Sequence, residues 1–215
     1  MSANKKLIFI LTSLFLIVIG IRFQSRMDSA VGEEYSHAGN VSKPDSSLFQ
    51  GGDILLRKGN NIVSDMIISA FPGGKGMSHC GILVRGNERW MVIHTISGRI
   101  SAFDGIRINT VKDFIAGAHQ NKVMHVQPVF PINRELVSQR AFYHLQRKAA
   151  FDHDFDLNES DKLYCSELVR KVYLEAGVRD VFSYRAIGEK LILDLAIFGD
   201  STLFKEVKLQ PSVMQ

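Results

Sequence analysis

Apolar residues recur along this chain with two periods. From Cys165 they fall at Leu168, Val169, Val172, Tyr173 and Ala176, the spacing of one buried helical stripe, so an amphipathic helix is expected from Cys165 to about Gly177. Cys165 itself lies on that stripe, in the first turn. Ile62, Met66, Ile67 and Phe71 predict another helix, broken by Pro72-Gly73-Gly74. Val111–Ala118 reads as helical, Asn133 is placed to cap a helix over Arg134–Ala149, and Ile187, Leu191, Leu195 and Phe198 suggest a last one. Strands are expected at Asp53–Leu56 after the Gly51-Gly52 turn, at Ser97–Phe103, at Val123–Phe130, and at Leu203–Leu209.

The most informative strands are Met77–Val84 and Arg89–Thr95, which flank Gly86-Asn87, a suitable pair for a two-residue hairpin loop. With that turn, Arg85 faces Glu88, Leu83 faces Trp90, Gly81 faces Val92 and His79 faces His94. The two imidazoles then stand directly opposite each other on one face, with Cβ atoms about 4.5–5.5 Å apart. Cys80 points to the other face.

Composition adds an appendage to this picture. With 215 residues, 46% hydrophobic and 22% charged, the chain suits one globular domain and a separate segment. Lys5 and Lys6 precede the apolar run Leu7–Ile21, and residues 1–27 are read as a signal-anchor or signal peptide. An uncleaved anchor is favoured, because the small-residue site Ala30-Val31-Gly32 lies beyond Arg22 and Arg26. Residues 28–47 read as a linker and 48–215 as the domain, which faces the outside of the membrane. Removing those two lysines and two arginines from the 26 basic residues leaves 22, against 22 acidic ones. The folded part is formally neutral, with no basic stripe for nucleic acid.

Several motifs fail closer inspection. Pro72–Gly76 is followed by a strand rather than by the helix of a phosphate-binding loop. Asp152–Asn158 imitates a calcium loop, but Leu157 stands where glycine is required and Leu163 where the closing glutamate belongs, so a solvated loop is expected. There is no metal-binding cysteine pair, and no cofactor is called for. A Cys80–Cys165 disulfide is disfavoured, since Cys80 faces away if His79 faces Cys165.

What remains is thiol chemistry. A cysteine at a helix start lies beside unpaired N–H groups and the positive end of the helix dipole, and both favour thiolate. His79 is the candidate base and His94 the group that orients it. The segments Gly52-Asp53-Ile54, Ser78-His79-Cys80-Gly81-Ile82, Asp152–Asp156 and Tyr164-Cys165-Ser166-Glu167-Leu168-Val169 together resemble the permuted papain-like amidases, the YiiX/YaeF group of the NlpC-type superfamily. The resemblance implies an α+β, circularly permuted papain-like domain, with a small antiparallel sheet packed against the cysteine helix. It also implies Cys165 as nucleophile, His79 as base, His94 as third polar residue, and Tyr164 as an aid to the Cys165 N–H in holding the oxyanion. The expected reaction is hydrolysis of an amide, such as a cell-envelope peptide, at the outer face of a bacterial inner membrane; secretion to the periplasm after signal cleavage is the alternative. Many relatives carry glutamate at the third place. Histidine there is similar to the lecithin:retinol acyltransferase branch, so a lipid acyl hydrolase or transferase stays open, as does a non-catalytic envelope-binding module.

Overall fold

The computed structural model describes residues 45–157 and 161–207. The expected anchor and most of the linker, residues 1–44, lie outside that range, and among the described residues no helix is long and apolar enough to cross a membrane.

The domain is a six-stranded antiparallel sheet with helices on both faces. Its strands are β1 (Ile54–Gly59), β2 (His79–Arg85), β3 (Trp90–Ile96), β4 (Gly105–Thr110), β5 (Ala118–Pro128) and β8 (Phe204–Val207), in the spatial order β4-β3-β2-β1-β5-β8. Helices are α1 (Ile62–Ala70), α2 (Val111–Ala116), α3 (Arg134–Arg147) and α4 (Cys165–Glu175), and a small hairpin pairs β6 (Arg185–Ile187) with β7 (Lys190–Ile192).

Strand alternation sorts the sheet into two unlike faces. On one face Ile54, Leu56, Cys80, Ile82, Val84, Ile93, Ile106, Met124 and Val126 join the stripe of α4, where Leu168, Val169, Val172 and Tyr173 are fully buried. Val137 and Ala141 of α3 close the same core. The other face has a smaller apolar cluster, in which Phe114 of α2 packs with Phe49, Leu55, Leu83 and Val92.

Three elements depart from the sequence pattern. Residues 97–104 form a loop in place of a strand, fixed by the Asp104 carboxylate accepting from the Gly98 N–H at 2.6 Å; the strand begins at Gly105, and Ile106 and Ile108 supply its alternation. Ile187 and Leu191, spaced like a helical face, lie in the β6–β7 hairpin, because Gly188 takes φ 61° in the tight turn. Only Leu195–Gly199 coils, as a short 3-10 turn capped by Asp194. The other predicted helices form, with Asn133 Oδ1 accepting from the Leu136 N–H at 3.0 Å and capping α3.

Gly52-Asp53 is a structural hub. Asp53 is fully buried and holds Arg134 of α3 at 2.8 Å, His125 of β5 at 2.8 Å and Gln127 at 2.9 Å. The Tyr173 hydroxyl donates to the Gly52 carbonyl, which ties α4 to the same turn. Asp53 is fully buried, so its charge is answered by several donors at once.

Candidate active site

The β2–β3 hairpin turns one residue later than expected. Gly86 N–H donates to the Arg89 carbonyl at 2.9 Å, leaving Asn87-Glu88 as the loop, and no residue of this turn takes a positive φ. Arg85 therefore pairs with Trp90 and Leu83 with Val92, which puts Gly81 rather than His79 opposite His94. This corrects the register by two residues, an even number, so both histidines keep the same face. They meet on the diagonal: His79 Nε2 and His94 Nδ1 are 2.9 Å apart. Gly81 makes that approach possible, since a Cβ there would lie 2.5 Å from Val92 Cγ1 and 2.9 Å from His94 Cβ.

Beyond His94 stands a residue that the sequence pattern did not single out. Asn109 on β4 presents Oδ1 at 2.8 Å to His94 Nε2. With that oxygen accepting, His94 carries its proton on Nε2 and offers the Nδ1 lone pair to His79. His79 then donates through Nε2–H, and its Nδ1 is left as the free base. Asn109 lies on β4, just after the loop that the sequence pattern read as a strand, and only the alternation of Ile106 and Ile108 could have revealed it.

Arg57 was also missed. It pairs across the sheet with His79, is buried, and donates to the Phe114 carbonyl at 2.8 Å while its guanidinium lies 4.9 Å over the Phe114 ring. Gly117 leaves room for this guanidinium, which a Cβ there would displace. Burial first, then His94 and Arg57, hold the His79 pKa well below the ordinary imidazole value. His94 is pushed down to about 3, by burial first and then by Arg57, against the opposing hydrogen bond from Asn109. Both rings are neutral near pH 7.

Cys165 opens α4, half-buried against the apolar core. Its thiol meets that of Cys80, which corrects the expectation that Cys80 faces away from it. The reason lies in the sheet: alternation puts Cys80 on the face that α4 covers and His79 on the opposite one. Cys165, the first residue of α4, packs against that same face. Its pKa is lowered, first by the Cys80 thiol, whereas burial raises that of Cys80. Both thiols are free. Among the described residues no hydrogen bond joins His79 to Cys165.

The flanks of Cys165 are anchored by buried polar contacts. Ser166 Oγ donates to the Leu193 carbonyl at 2.6 Å, and Leu193 N–H donates to the Tyr164 hydroxyl at 2.8 Å. Burial first, with the Leu193 bond opposing it, raises the Tyr164 pKa. Glu167 accepts from the Tyr164 N–H at 3.3 Å and is pushed up to about 8, chiefly by burial. Asp152 is not in a solvated loop, as expected, but fully buried, accepting from the N–H groups of Asp154 at 2.8 Å and Asp156 at 2.6 Å. It shapes its own turn.

A family model described as "Permuted papain-like amidase enzyme, YaeF/YiiX, C92 family" matches residues 49–197. A solved structure, the crystal structure of metalloprotein yiiX from Escherichia coli O157:H7, superposes with a TM-score of 0.63 at 21% identity, over 75% of this chain and 97% of that one. At that identity the likeness shows the shared fold. No curated protein matches the sequence. Among the described residues of this chain, no group of three or more His, Cys, Asp or Glu could hold a metal ion.

Proposed function

We propose, from the premise that this chain belongs to the YaeF/YiiX family of permuted papain-like amidases and is a papain-like hydrolase, that Cys165, His79 and His94 form its catalytic triad. The observation that carries this reading is the directed relay from Asn109 through His94 to His79, which leaves a neutral base with its lone pair on Nδ1. The thiol, whose pKa is lowered first by the Cys80 thiol and then, against burial, by nearby backbone N–H groups, is the partner for that base.

In the proposed reaction Cys165 passes its proton to His79 Nδ1 and attacks the acyl carbonyl. His94 Nδ1 accepts from the resulting imidazolium and stabilises it. The Cys165 N–H at the helix start receives the developing oxyanion. Tyr164, whose hydroxyl accepts from Leu193, contributes its remaining O–H proton as a second donor. As the tetrahedral intermediate collapses, the carbon–nitrogen bond breaks, and His79 returns its proton to the leaving amine. Water activated by His79 then hydrolyses the thioester and frees the thiol. Before attack Cys165 must exchange its Cys80 contact for His79, a tightening that substrate binding can supply.

The substrate class we infer is an amide of the cell envelope, such as a stem peptide or another γ-glutamyl or lysyl amide. The chain would be held by Leu7–Ile21 at the outer face of a bacterial inner membrane. A histidine at the third position favours one second reading, acyl hydrolysis or transfer on a lipid. An acyl-thiol activity probe on the full-length protein tests the enzyme itself: it should label wild type, spare Cys165→Ala, and be lost in folded His79→Ala. Labelling that survives Cys165→Ala sinks the assignment and leaves the binding module. Envelope peptides and phospholipids offered side by side then separate amide from ester cleavage.

A further inference from the structure

Two free thiols meet at the start of α4. Cys80 is fully buried in the apolar core, and Cys165, half-buried, packs against that core with its thiol on the Cys80 thiol. The two residues are far apart in sequence, and the packing of α4 on β2 alone brings them together. Alternation along β2 turns Cys80 toward α4 and its neighbour His79 away from it, so Cys80 takes no part in the histidine relay. Its β1 partner is Leu56, also fully buried. The proposed acyl chemistry uses Cys165 and gives Cys80 no task.

The two thiols are unequal in the way that a stepwise oxidation requires. Cys165 opens its helix, is partly open to solvent and has a lowered pKa, so it offers thiolate that a small oxidant can reach. Cys80 is closed to solvent, and burial raises its pKa, so it stays a thiol that the same oxidant does not reach. A sulfenic acid formed at Cys165 therefore has a reduced thiol already in contact with it. That proximity favours condensation within the pair over a second encounter with oxidant.

We propose that Cys80 is the resolving thiol of Cys165, so that a hydroperoxide converts the pair into a disulfide and turns the site off reversibly. The proposal rests on the reading of Cys165 as the nucleophile. With hydrogen peroxide, the Cys165 thiolate sulfur attacks one peroxide oxygen and the O–O bond breaks. The sulfur is oxidised to sulfenic acid, and the hydroxide that leaves takes up a proton as water. The Cys80 sulfur then attacks the Cys165 sulfur, the S–O bond breaks, and hydroxide departs with the Cys80 proton as a second water. The new S–S bond fixes Cys165 in the contact that it must leave for His79 before attack. A dithiol reverses the step: it returns both thiols and is itself oxidised to a disulfide.

The test exposes the reduced full chain to hydrogen peroxide and alkylates the remaining thiols. Intact mass, a peptide map and labelling by the acyl-thiol probe are then read on the same samples. The chain has 2 cysteines, so each product is assigned by mass. The expected product takes up no alkyl group, is about 2 Da lighter than the reduced chain and yields a linked peptide holding Cys80 and Cys165. Its probe labelling should fall at least about tenfold and return with dithiothreitol. A Cys165 sulfinic acid, about 32 Da heavier, beside an alkylated Cys80 overturns the proposal, as does a disulfide between two chains. Cys80→Ala is the second check, compared with its own untreated sample. Without the resolving thiol its Cys165 should pass on to sulfinic acid, and dithiothreitol should recover little labelling; recovery equal to wild type overturns the resolving role. The wild-type mass map decides even if that variant misfolds. Reduced protein that the probe labels but peroxide does not cross-link keeps the catalytic reading and loses the switch. A disulfide that forms in protein the probe never labels keeps the resolving thiol and loses Cys165 as the nucleophile.

Discussion

The two faces of the sheet are built from the same strands and do different work. Residues Leu56, Cys80, Ile82 and Ile93 point one way into a continuous apolar core under α3 and α4. Their immediate neighbours Arg57, His79, Val92 and His94 point the other way, where polar groups are buried beside α2. The apolar face tolerates no polar atom without cost, so its contribution is stability. On the second face each buried polar group is tied to another: Asp53 to Arg134 and His125, His79 to His94, and His94 to Asn109. Fixed partners define tautomers and directions, which catalysis needs and a hydrophobic core cannot provide. The candidate thiol opens α4 and packs on the apolar side.

The largest effects should separate the faces. His79→Ala is expected to lower kcat/KM by about 10²–10⁴-fold with thermal unfolding near wild type. Leu168→Ala, on the apolar face, is expected to cost about 2–5 kcal/mol of stability while the folded fraction keeps its turnover at low temperature. Denaturant melts and rates measured on both proteins check the pair; a His79→Ala protein as unstable as Leu168→Ala would collapse the distinction.

Gly81→Ala should blur it, because it strikes both terms. The added methyl meets Val92 Cγ1 and His94 Cβ, which should cost about 1–3 kcal/mol and move His94 off His79. A structure of the variant with the 2.9 Å contact intact, and an unchanged rate, would remove Gly81 from the site's geometry.

Asn109 sharpens the comparison with a smaller change. Asn109→Leu removes one acceptor, worth about 1 kcal/mol or a roughly fivefold to tenfold loss in kcat, with KM unaltered. Asn109→Asp keeps the acceptor and should restore the rate, while its negative charge moves the acid limb of the pH profile upward. A merely structural Asn109 would alter stability and leave that limb in place.

The smallest effects are in stability against pH, and their signs oppose. His94 titrates near 3 when folded against 6.5 as its ordinary value, so the unfolded chain binds the extra proton and stability falls as pH drops from about 6.5 toward 3. Glu167 is raised from 4.5 to about 8, so the folded chain holds the proton and stability falls as pH rises from about 4.5 to 8. Thermal melts of His94→Gln and Glu167→Gln should flatten the acid and the alkaline slope respectively.

Much of this was legible in the chain. The stripe behind Cys165, the Asn133 cap and the shared face of His79 and His94 follow from local periods, since side-chain direction repeats every two or every 3.6 residues whatever the partner. The resemblance carried by Gly52-Asp53-Ile54 and Tyr164–Val169 agrees with the family to which the chain belongs. Period alone misled at Ile187 and Leu191, where Gly188 turns the chain back within a helical spacing. Other features depend on what meets across the sheet. The hairpin closes at Asn87-Glu88 because pairing along the whole strand outweighs the turn preference of Gly86-Asn87. Asn109 and Arg57 reach the histidines only through strand neighbours distant in sequence, and Cys80 meets Cys165 only because α4 packs on the face to which Cys80 points. Alternation is a property of one strand and is written in its residues. Register and the partner of a buried polar group are properties of two or more segments, and only their packing decides them.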